Sequence, residues 1–494
     1  MNVSAPTSVL RSAALAVAMR WTDRLIGFLS TLLLARLLAP DDLGIIAMVS
    51  LVVGLVDVML DLGVNIALVQ NRNATQAHYD SAWTLRILET CVAALVLCGV
   101  SEYAANYFAD VRVQPVLLWM AAGMVFSGMQ NIGIVTFQKE MRFGLDFRFM
   151  FAKRVVIFIV TIAAAWIHRD YWALVIATVV SRAIGTVISF AMHPMRPRLS
   201  LEKAGEIFAV SLWLLMRGIG NYLHLNLHRI YVGGGSSAAV LGGYSLADEI
   251  SSMPNNELLS PLNRVLFPSF VRVKHDLEEL RRIFLTAQGL QTMVAMPCSA
   301  GLAFVAPEAV AVLLGDKWLF AVPFVQQLSI ANIIFSITTS CGYVMITLGH
   351  TRSSAVFVWI QVFLFVLIIA LLAPGGDPMV IAWARVLSVM AAVPVSIYLL
   401  RKAIGNVSVG DIIGTISRPL LATGCMYLSL KGLDLVMQLA ALPALLIKIA
   451  TGVVVYSVAT LLIWIAYGKP DGAETYALAK LSGLRRRTAA GTEG

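Results

Sequence analysis

The sequence predicts an all-α polytopic membrane protein of about fourteen transmembrane helices, and three observations carry that prediction. Of 494 residues, 59% are hydrophobic and only 13% charged, with a mean hydropathy of +0.81. A soluble domain carries about 25% charged residues. Apolar runs near the length needed to cross the hydrocarbon of a bilayer follow one another along the chain. Lysine and arginine gather in alternate loops, the pattern that sets membrane orientation. The formal net charge of +9 is therefore read as a topology signal and not as a nucleic-acid footprint.

The first apolar run, 15–38, carries Arg20, Asp23 and Arg24 and continues to Leu38, which suits an uncleaved first span better than a signal peptide. The Ala-Pro-Asp-Asp turn at 39–42 separates it from a second span over 44–66. Spans at 82–100, 115–136, 150–168 and 171–192 complete a first group of six. The seventh and eighth, 207–231 and 238–260, flank a Gly-Gly-Gly-Ser-Ser turn at 233–237. Spans follow at 284–306, 319–341, 353–373 and 379–400, with Pro-Gly-Gly-Asp-Pro at 374–378 between the last two. Two more, 412–430 and 442–467, end the apolar part of the chain.

Arg72, then Lys139, Arg142 and Arg148, then Arg196, Arg198 and Lys203 mark alternate loops. The series continues through Arg264, Arg272, Lys274, Arg281 and Arg282, then Arg352, then Arg401 and Lys402, and a tail with Lys469, Lys480 and Arg485 to Arg487. Intervening loops hold only Arg112, Arg169, Lys317 and Lys431. The asymmetry places both termini in the cytoplasm and requires an even number of spans. No loop is long enough for a folded domain. The longest, around 261–283, reads as a short amphipathic cytoplasmic helix from Val271 to Ile283, and the basic tail as a segment at the inner surface. Cys91, Cys98, Cys298, Cys341 and Cys425 all lie in apolar runs without CxxC spacing, which reads as packing and not as a disulfide framework or metal site.

Two stretches about 198 residues apart resemble each other. Arg20 to Asp57 passes through a polar-headed span, a short turn, Gly44 and a second span; Arg217 to Asn255 does the same, with Gly242 after its turn. Arg182 and Arg385 lie inside the sixth and twelfth spans. A parallel repeat follows: an N-lobe over 1–205, a C-lobe over 206–403, and two further spans with a basic tail over 404–494. Transporters use such repeats to hold substrate between halves that rock against each other.

Charges within the bilayer are expensive, so their spacing is informative. Arg217, Asn221, His224 and His228 fall on one face of the seventh span, and Arg20, Arg24, Gly27 and Thr31 on one face of the first. Ser50, Gly54, Asp57 and Asp61 form an acidic stripe on the second span; Ser245, Asp248 or Glu249, Ser252 and Asn255 or Asn256 do so on the eighth. Arginine suits a phosphate or diphosphate, which it grips with two parallel hydrogen bonds. Partly desolvated carboxylates suit a coupling proton or Na⁺. Plainer readings stand beside these. Arg20 also suits a snorkelling anchor. Arg24 pairs equally well with Asp57 or Asp61 as structural glue. Arg86 and Glu89, three apart, can satisfy each other. His224 and His228 also suit hydrogen-bonded interior positions, and no carboxylate or cysteine completes a metal set beside them. Arg182, Arg385 and Lys448 stay open between roles. The Gly-Gly-Gly-Ser-Ser turn lacks the Gly-Lys-Ser/Thr ending of a P-loop, and HExxH, GxSxG and CxxC are absent.

Arg20-Trp21 with Asp23-Arg24, the run Leu34-Ala35-Arg36-Leu37-Leu38-Ala39-Pro40-Asp41-Asp42-Leu43-Gly44, Asp61-Leu62-Gly63 and Ala67-Leu68-Val69-Gln70 resemble the polysaccharide transporter family of the MOP flippase superfamily. The nearest pattern is its Wzx-type branch, which includes the colanic-acid exporter. Arg142-Phe143 and Tyr171-Trp172-Ala173-Leu174-Val175 are similar too. The likeness is strong over 20–205 and continues, mainly in span pattern, to about 400. It implies two six-helix lobes around a central cavity plus two C-terminal helices. It also implies flipping of undecaprenyl-diphosphate-linked oligosaccharide across the bacterial inner membrane under an ion gradient, with basic cavity residues on the diphosphate. Arg24 and Arg217, on the first helix of each lobe, carry over into that role.

The expectation is therefore a flippase, not an enzyme, without cofactor or metal. Arg20, Arg24, Arg217, Asn221, His224 and His228 are its substrate-binding candidates; Asp57, Asp61, Asp248 and Glu249 are its ion-coupling candidates. Expected partners are the undecaprenyl-diphosphate-linked oligosaccharide, membrane lipids, and a polysaccharide polymerase with its co-polymerase, but no nucleic acid. Length and style also fit a rhizobial succinoglycan exporter. Two other functions compete. A multidrug or small-cation antiporter predicts an anionic cavity, which the cationic stripes oppose. A membrane polymerase predicts a substantial outward loop, and every outward loop here is short.

Overall fold

The computed structural model describes residues 22, 25–71, 73–140, 142–207, 212–259, 262, 269–372, 375–405, 407–436 and 439–480, and every regular element among them is helical. Helix α1 spans Leu25–Leu37. Helix α2, Pro40–Leu60, begins where Pro40 fixes the first helical residue and Asp42 accepts from the Ala39 amide at 3.1 Å. It ends earlier than the sequence pattern predicts. Asp61 accepts from the Gly63 amide at 2.9 Å, Gly63 turns to a left-handed φ of 64°, and α3 (Val64–Gln70) starts in a new direction.

Helix α4 covers Gln76–Tyr107. The expected fourth span, 115–136, is broken: α5 (Val113–Gly128) gives way to a 3-10 turn at Ile132–Ile134 and α6 (Val135–Lys139), bent by 64°. Asn131 makes the break, with its side-chain oxygen accepting from the Gly133 amide at 2.9 Å. Helices α7 (Phe143–His168), α8 (Trp172–Met192) and the short α9 (Ala204–Ile207) follow. Next come α10 (Leu212–Gly235) and α11 (Ala238–Met253), which runs on as a π-turn over Pro254–Leu259.

No separate amphipathic helix forms over Val271 to Ile283. Asp276 accepts from the Glu279 amide at 3.0 Å and starts the long α12, Leu277–Phe304, which bends by 73° into α13, Ala306–Leu313. After a 3-10 turn at Asp316–Ala321, the chain forms α14 (Val322–Thr347), α15 (Thr351–Leu372), α16 (Pro378–Ile404), α17 (Val409–Val436) and α18 (Ala441–Ala466). Eight helices are each long and apolar enough to cross a bilayer, and the two bent pairs raise the number to ten. The other four expected spans fall on α1, α10, α11 and α17, which are shorter or more polar, so the count of fourteen is not reached on this measure.

The chain divides into two compact units, Met1–Gly242 and Gly243–Gly494. In the first, α10 packs on α2. Tyr222 donates to the Leu51 carbonyl at 2.6 Å, and a β-carbon added at Gly54 would stand 2.8 Å from the Tyr222 hydroxyl. Gly44 lies directly on the Ala238 backbone, and Gly242 on Pro40 and Gly44. The extended stretch after α8 is strapped to α4: Arg198, Ser200 and Lys203 amides donate to Asp80, Thr84 and Ser81 at 3.0, 2.9 and 3.0 Å.

In the second unit, Phe270, Leu280, Phe284, Cys341, Val344 and Leu400 share a buried cluster. Two ion-pair sets tie its C-terminal helices down. Lys448 reaches Glu308 and Asp434, each at 2.5 Å, and Arg418 meets Glu474 at 2.9 Å.

Candidate functional site

The first unit gathers six ionisable side chains from four helices inside its membrane-spanning part. The end of α2 supplies Asp57, with Asp61 just beyond; α4 supplies Arg86 and Glu89; α7 supplies Lys153; α8 supplies Arg182. Asp57 lies in the field of Arg182 and Asp61. Glu89 lies among Asp61, Arg86 and Asp57, and its carboxylate takes a hydrogen bond from the Leu62 backbone. Arg86 donates to Asn65 Oδ1 at 3.2 Å and feels both Glu89 and Asp61. Asp57 and Asp61 are exposed; Arg86, Glu89, Lys153 and Arg182 are half-buried. Charges in a membrane protein are tolerated where water or a partner reaches them, so this cluster marks a wet interior and not a lipid face.

The helix limits set the level of the cations. Arg86 is ten residues from Gln76, Lys153 ten from Phe143, and Arg182 ten from Met192. At the rise of an α-helix each stands about 15 Å along its axis from the end that carries the basic loops. Small residues seat two of them. A β-carbon at Gly123 would lie 3.4 Å from Arg182 Cδ, and one at Gly185 would lie 3.5 Å from Lys153 Cδ and Cε and from Gln130 Nε2.

The sequence-predicted residues divide as follows. Arg20 and Arg24 lie outside the described residues. On α10, Arg217 is half-buried and Asn221 exposed, while His224 and His228 are 6% and 2% exposed; the His228 ring donates through Nε2 to the Leu225 carbonyl at 3.0 Å. Asp57 joins the cluster. Asp61 does so from the break after α2, where it also caps Gly63. Asp248 is half-buried and Glu249 exposed on α11, in the second unit.

Arg86 and Glu89 do not simply satisfy each other: Arg86 turns to Asn65, and Glu89 sits among the α2 carboxylates. Sequence reasoning left Arg182 undecided and passed over Lys153 altogether. The available signal for Lys153 was a basic Lys153-Arg154 pair inside an apolar helix. It was hidden because the span was started at 150, which made Lys153 look like a boundary residue, whereas α7 starts at Phe143.

A family model described as polysaccharide biosynthesis protein matches residues 33–323. The chain belongs to the polysaccharide biosynthesis protein family. Members and relatives span most of its length. The lipopolysaccharide biosynthesis protein WzxC of Escherichia coli (strain K12) is 24% identical over 69% of this chain and 70% of its own. The succinoglycan biosynthesis transport protein ExoT of Rhizobium meliloti (strain 1021) is 23% identical over 67% of each. Among solved structures, the lipid II flippase MurJ in an inward closed conformation superposes with a TM-score of 0.75, covering 92% of this chain and 99% of its own at 11% identity. That likeness is one of fold. This polysaccharide biosynthesis family member is thus a multi-pass helical membrane protein that shares the fold of MurJ.

Proposed function

We propose that this chain moves undecaprenyl-diphosphate-linked oligosaccharide repeat units from the inner to the outer leaflet of the bacterial inner membrane, for exopolysaccharide, capsule or O-antigen assembly. The observation that carries the reading is the mixed-charge cluster of Asp57, Asp61, Arg86, Glu89, Lys153 and Arg182 inside the first unit of a polysaccharide biosynthesis family member. The names of its relatives support the cargo class: one serves lipopolysaccharide biosynthesis and one succinoglycan transport, and the MurJ likeness supports a flippase fold.

On this reading the work is done within the bilayer by alternating access, and no bond of the cargo is made or broken. Lobes over 1–205 and 206–403 rock against each other, with 404–494 appended and both termini cytoplasmic. Arg20, Arg24, Arg217, Asn221, His224 and His228 face the diphosphate and sugar. Asp57 and Asp61, with Asp248 and Glu249 on the second unit, take up the coupling ion. A polymerase and its co-polymerase receive the delivered units.

A multidrug or small-cation antiporter predicts an anionic cavity, whereas this cluster sets Arg86, Lys153 and Arg182 among its three carboxylates. The test is complementation of a deletion strain. Wild type restores polymer export; Arg217→Ala and Arg24→Ala each remove most of it while protein remains in the membrane. Arg24→Lys retains only part, because an ammonium cannot reproduce two parallel bonds to a diphosphate. Near-normal export from both alanine variants would remove this substrate site.

A further inference from the structure

We propose that the cavity lined by α13, α17 and α18 in the second unit binds the ammonium head of phosphatidylethanolamine through Glu308 and Asp434. The site is separate from the charge cluster of the first unit and does not rest on the cargo proposed above.

The cavity has a volume of about 450 Å³ and is walled by Leu433, Leu439 and Ile447, with Glu308, Asp434 and Lys448 as its charged lining. Lys448 bridges the two carboxylates, reaching Glu308 Oε1 and Asp434 Oδ1 at 2.5 Å each, and lies 5.3 Å from the centre of the Phe304 ring. Its three N–H donors thus have three neighbours already. Two carboxylates against one ammonium leave one negative charge over, and Glu308 Oε2 is buried without a hydrogen-bond partner. A carboxylate oxygen shut away from water is costly to leave unmatched. The lining therefore lacks one cationic donor, and Lys448 cannot supply it. Lys431, one turn before Asp434 on α17, is exposed and lies outside the lining.

Position and chemistry select the donor. Helix α17 runs away from the basic Arg401–Lys402 end of α16, so the loop charge places the cavity toward the outer leaflet. Lys448 lies seven residues into α18, about 10 Å along its axis from Ala441, a depth at which headgroups meet acyl chains. The surrounding helix surface is apolar and open: Leu435 and Val436 of α17 and Leu442 and Leu446 of α18 are all exposed. A ligand that enters across such a surface brings hydrocarbon with it. Among the described residues, no group of three His, Cys, Asp or Glu could hold a metal ion. A primary ammonium on a phospholipid meets all of these conditions. It brings one positive charge, N–H donors for Glu308 Oε2 and the half-exposed Asp434 carboxylate, and acyl chains for the helix faces outside.

The experiment uses the full-length protein purified in detergent and titrated with phosphatidylethanolamine, phosphatidylcholine and free ethanolamine, with bound ligand read by native mass spectrometry. Wild type binds phosphatidylethanolamine saturably and at least about tenfold more tightly than phosphatidylcholine, whose trimethylammonium keeps the charge but has no N–H. Glu308→Gln weakens phosphatidylethanolamine binding by at least about tenfold, and Lys402→Met, at the far end of α16, leaves it unchanged. Equal binding of the two lipids, or undiminished phosphatidylethanolamine binding by a Glu308→Gln protein that melts like wild type, overturns the site. Glu308-dependent binding of free ethanolamine with which phosphatidylethanolamine does not compete assigns the cavity to a soluble amine and overturns the lipid assignment. Should Glu308→Gln fail to fold, Asp434→Asn is read by the same criterion.

Discussion

Asp57 stands on the last turn of α2 between an arginine from α8 and a second carboxylate, so a change there alters the field of the whole cluster. In the proposed coupling role, Asp57→Asn should reduce export several-fold and make the remainder insensitive to collapse of the ion gradient. Export that keeps its full gradient dependence would remove Asp57 from that role. A second residue-scale prediction concerns the short loop between α4 and α5. Arg112 donates to both oxygens of Asp110, at 2.9 and 2.6 Å, and to Asp41 at 2.5 Å. Hydrogen bonding from Arg112 holds the Asp110 carboxyl below its ordinary value. A lowered folded-state value stabilises at pH above the unfolded value of about 3.9 and is lost as pH falls through the folded one. Asp110→Asn should therefore cost about 1 kcal/mol in thermal melts at pH 7, and the difference from wild type should disappear as pH falls through the lowered Asp110 value. At this scale the sequence is a partial guide. The acidic stripe through Asp57 is legible from helical spacing, whereas Lys153 depends on where α7 begins, which hydropathy places seven residues too late.

Helix α2 meets α10 and the start of α11 through glycines. A β-carbon at Gly44 would overlap the Ala238 backbone, and one at Gly242 would overlap Pro40. Neither backbone neighbour can yield as a flexible side chain would. Gly44→Ala and Gly242→Ala should each destabilise by about 1–3 kcal/mol, while Gly99→Ala in α4, where nothing lies within 4 Å, should be neutral or slightly stabilising. Melting of the purified variants separates the two outcomes, and equal melting of all three would deny the close crossing. At the other end of the chain, Lys448 is only 8% exposed at its side chain and bridges Glu308 of α13 to Asp434 of α17. Lys448→Met leaves two carboxylates without their counter-charge and should cost about 3 kcal/mol. Adding Glu308→Gln should return part of the loss; no return would mean that the pair does not hold α13 in place. Gly44 and Gly242 were visible in the sequence as equivalent positions of a repeat, yet nothing in a one-dimensional pattern shows that they touch. The breaks at 61–63, 129–134 and 305 escaped notice for a related reason: hydropathy averages across a bend, and an apolar run reads the same whether straight or folded by 64° or 73°.

For the molecule as a whole, composition and alternating loop charge sufficed to identify a helical multi-pass membrane protein, because the bilayer admits only a few solutions. The span number was less legible: α10 and α17 carry polar residues that lower their hydropathy, among them His224 and His228 on α10 and Asp411, Arg418 and Asp434 on α17. The charge cluster was half legible, since Asp57 and Asp61 fall on one stripe of spacing while Arg86, Glu89, Lys153 and Arg182 sit on other helices that only the fold brings beside it. The central claim is that the chain carries lipid-linked saccharide across the membrane, and the most direct measurement is the sidedness of undecaprenyl-diphosphate-linked units in a strain lacking it. Accumulation on the inner leaflet, relieved by the wild-type chain and not by Arg217→Ala, is the predicted result; unpolymerised units delivered to the outer leaflet in its absence would contradict the account.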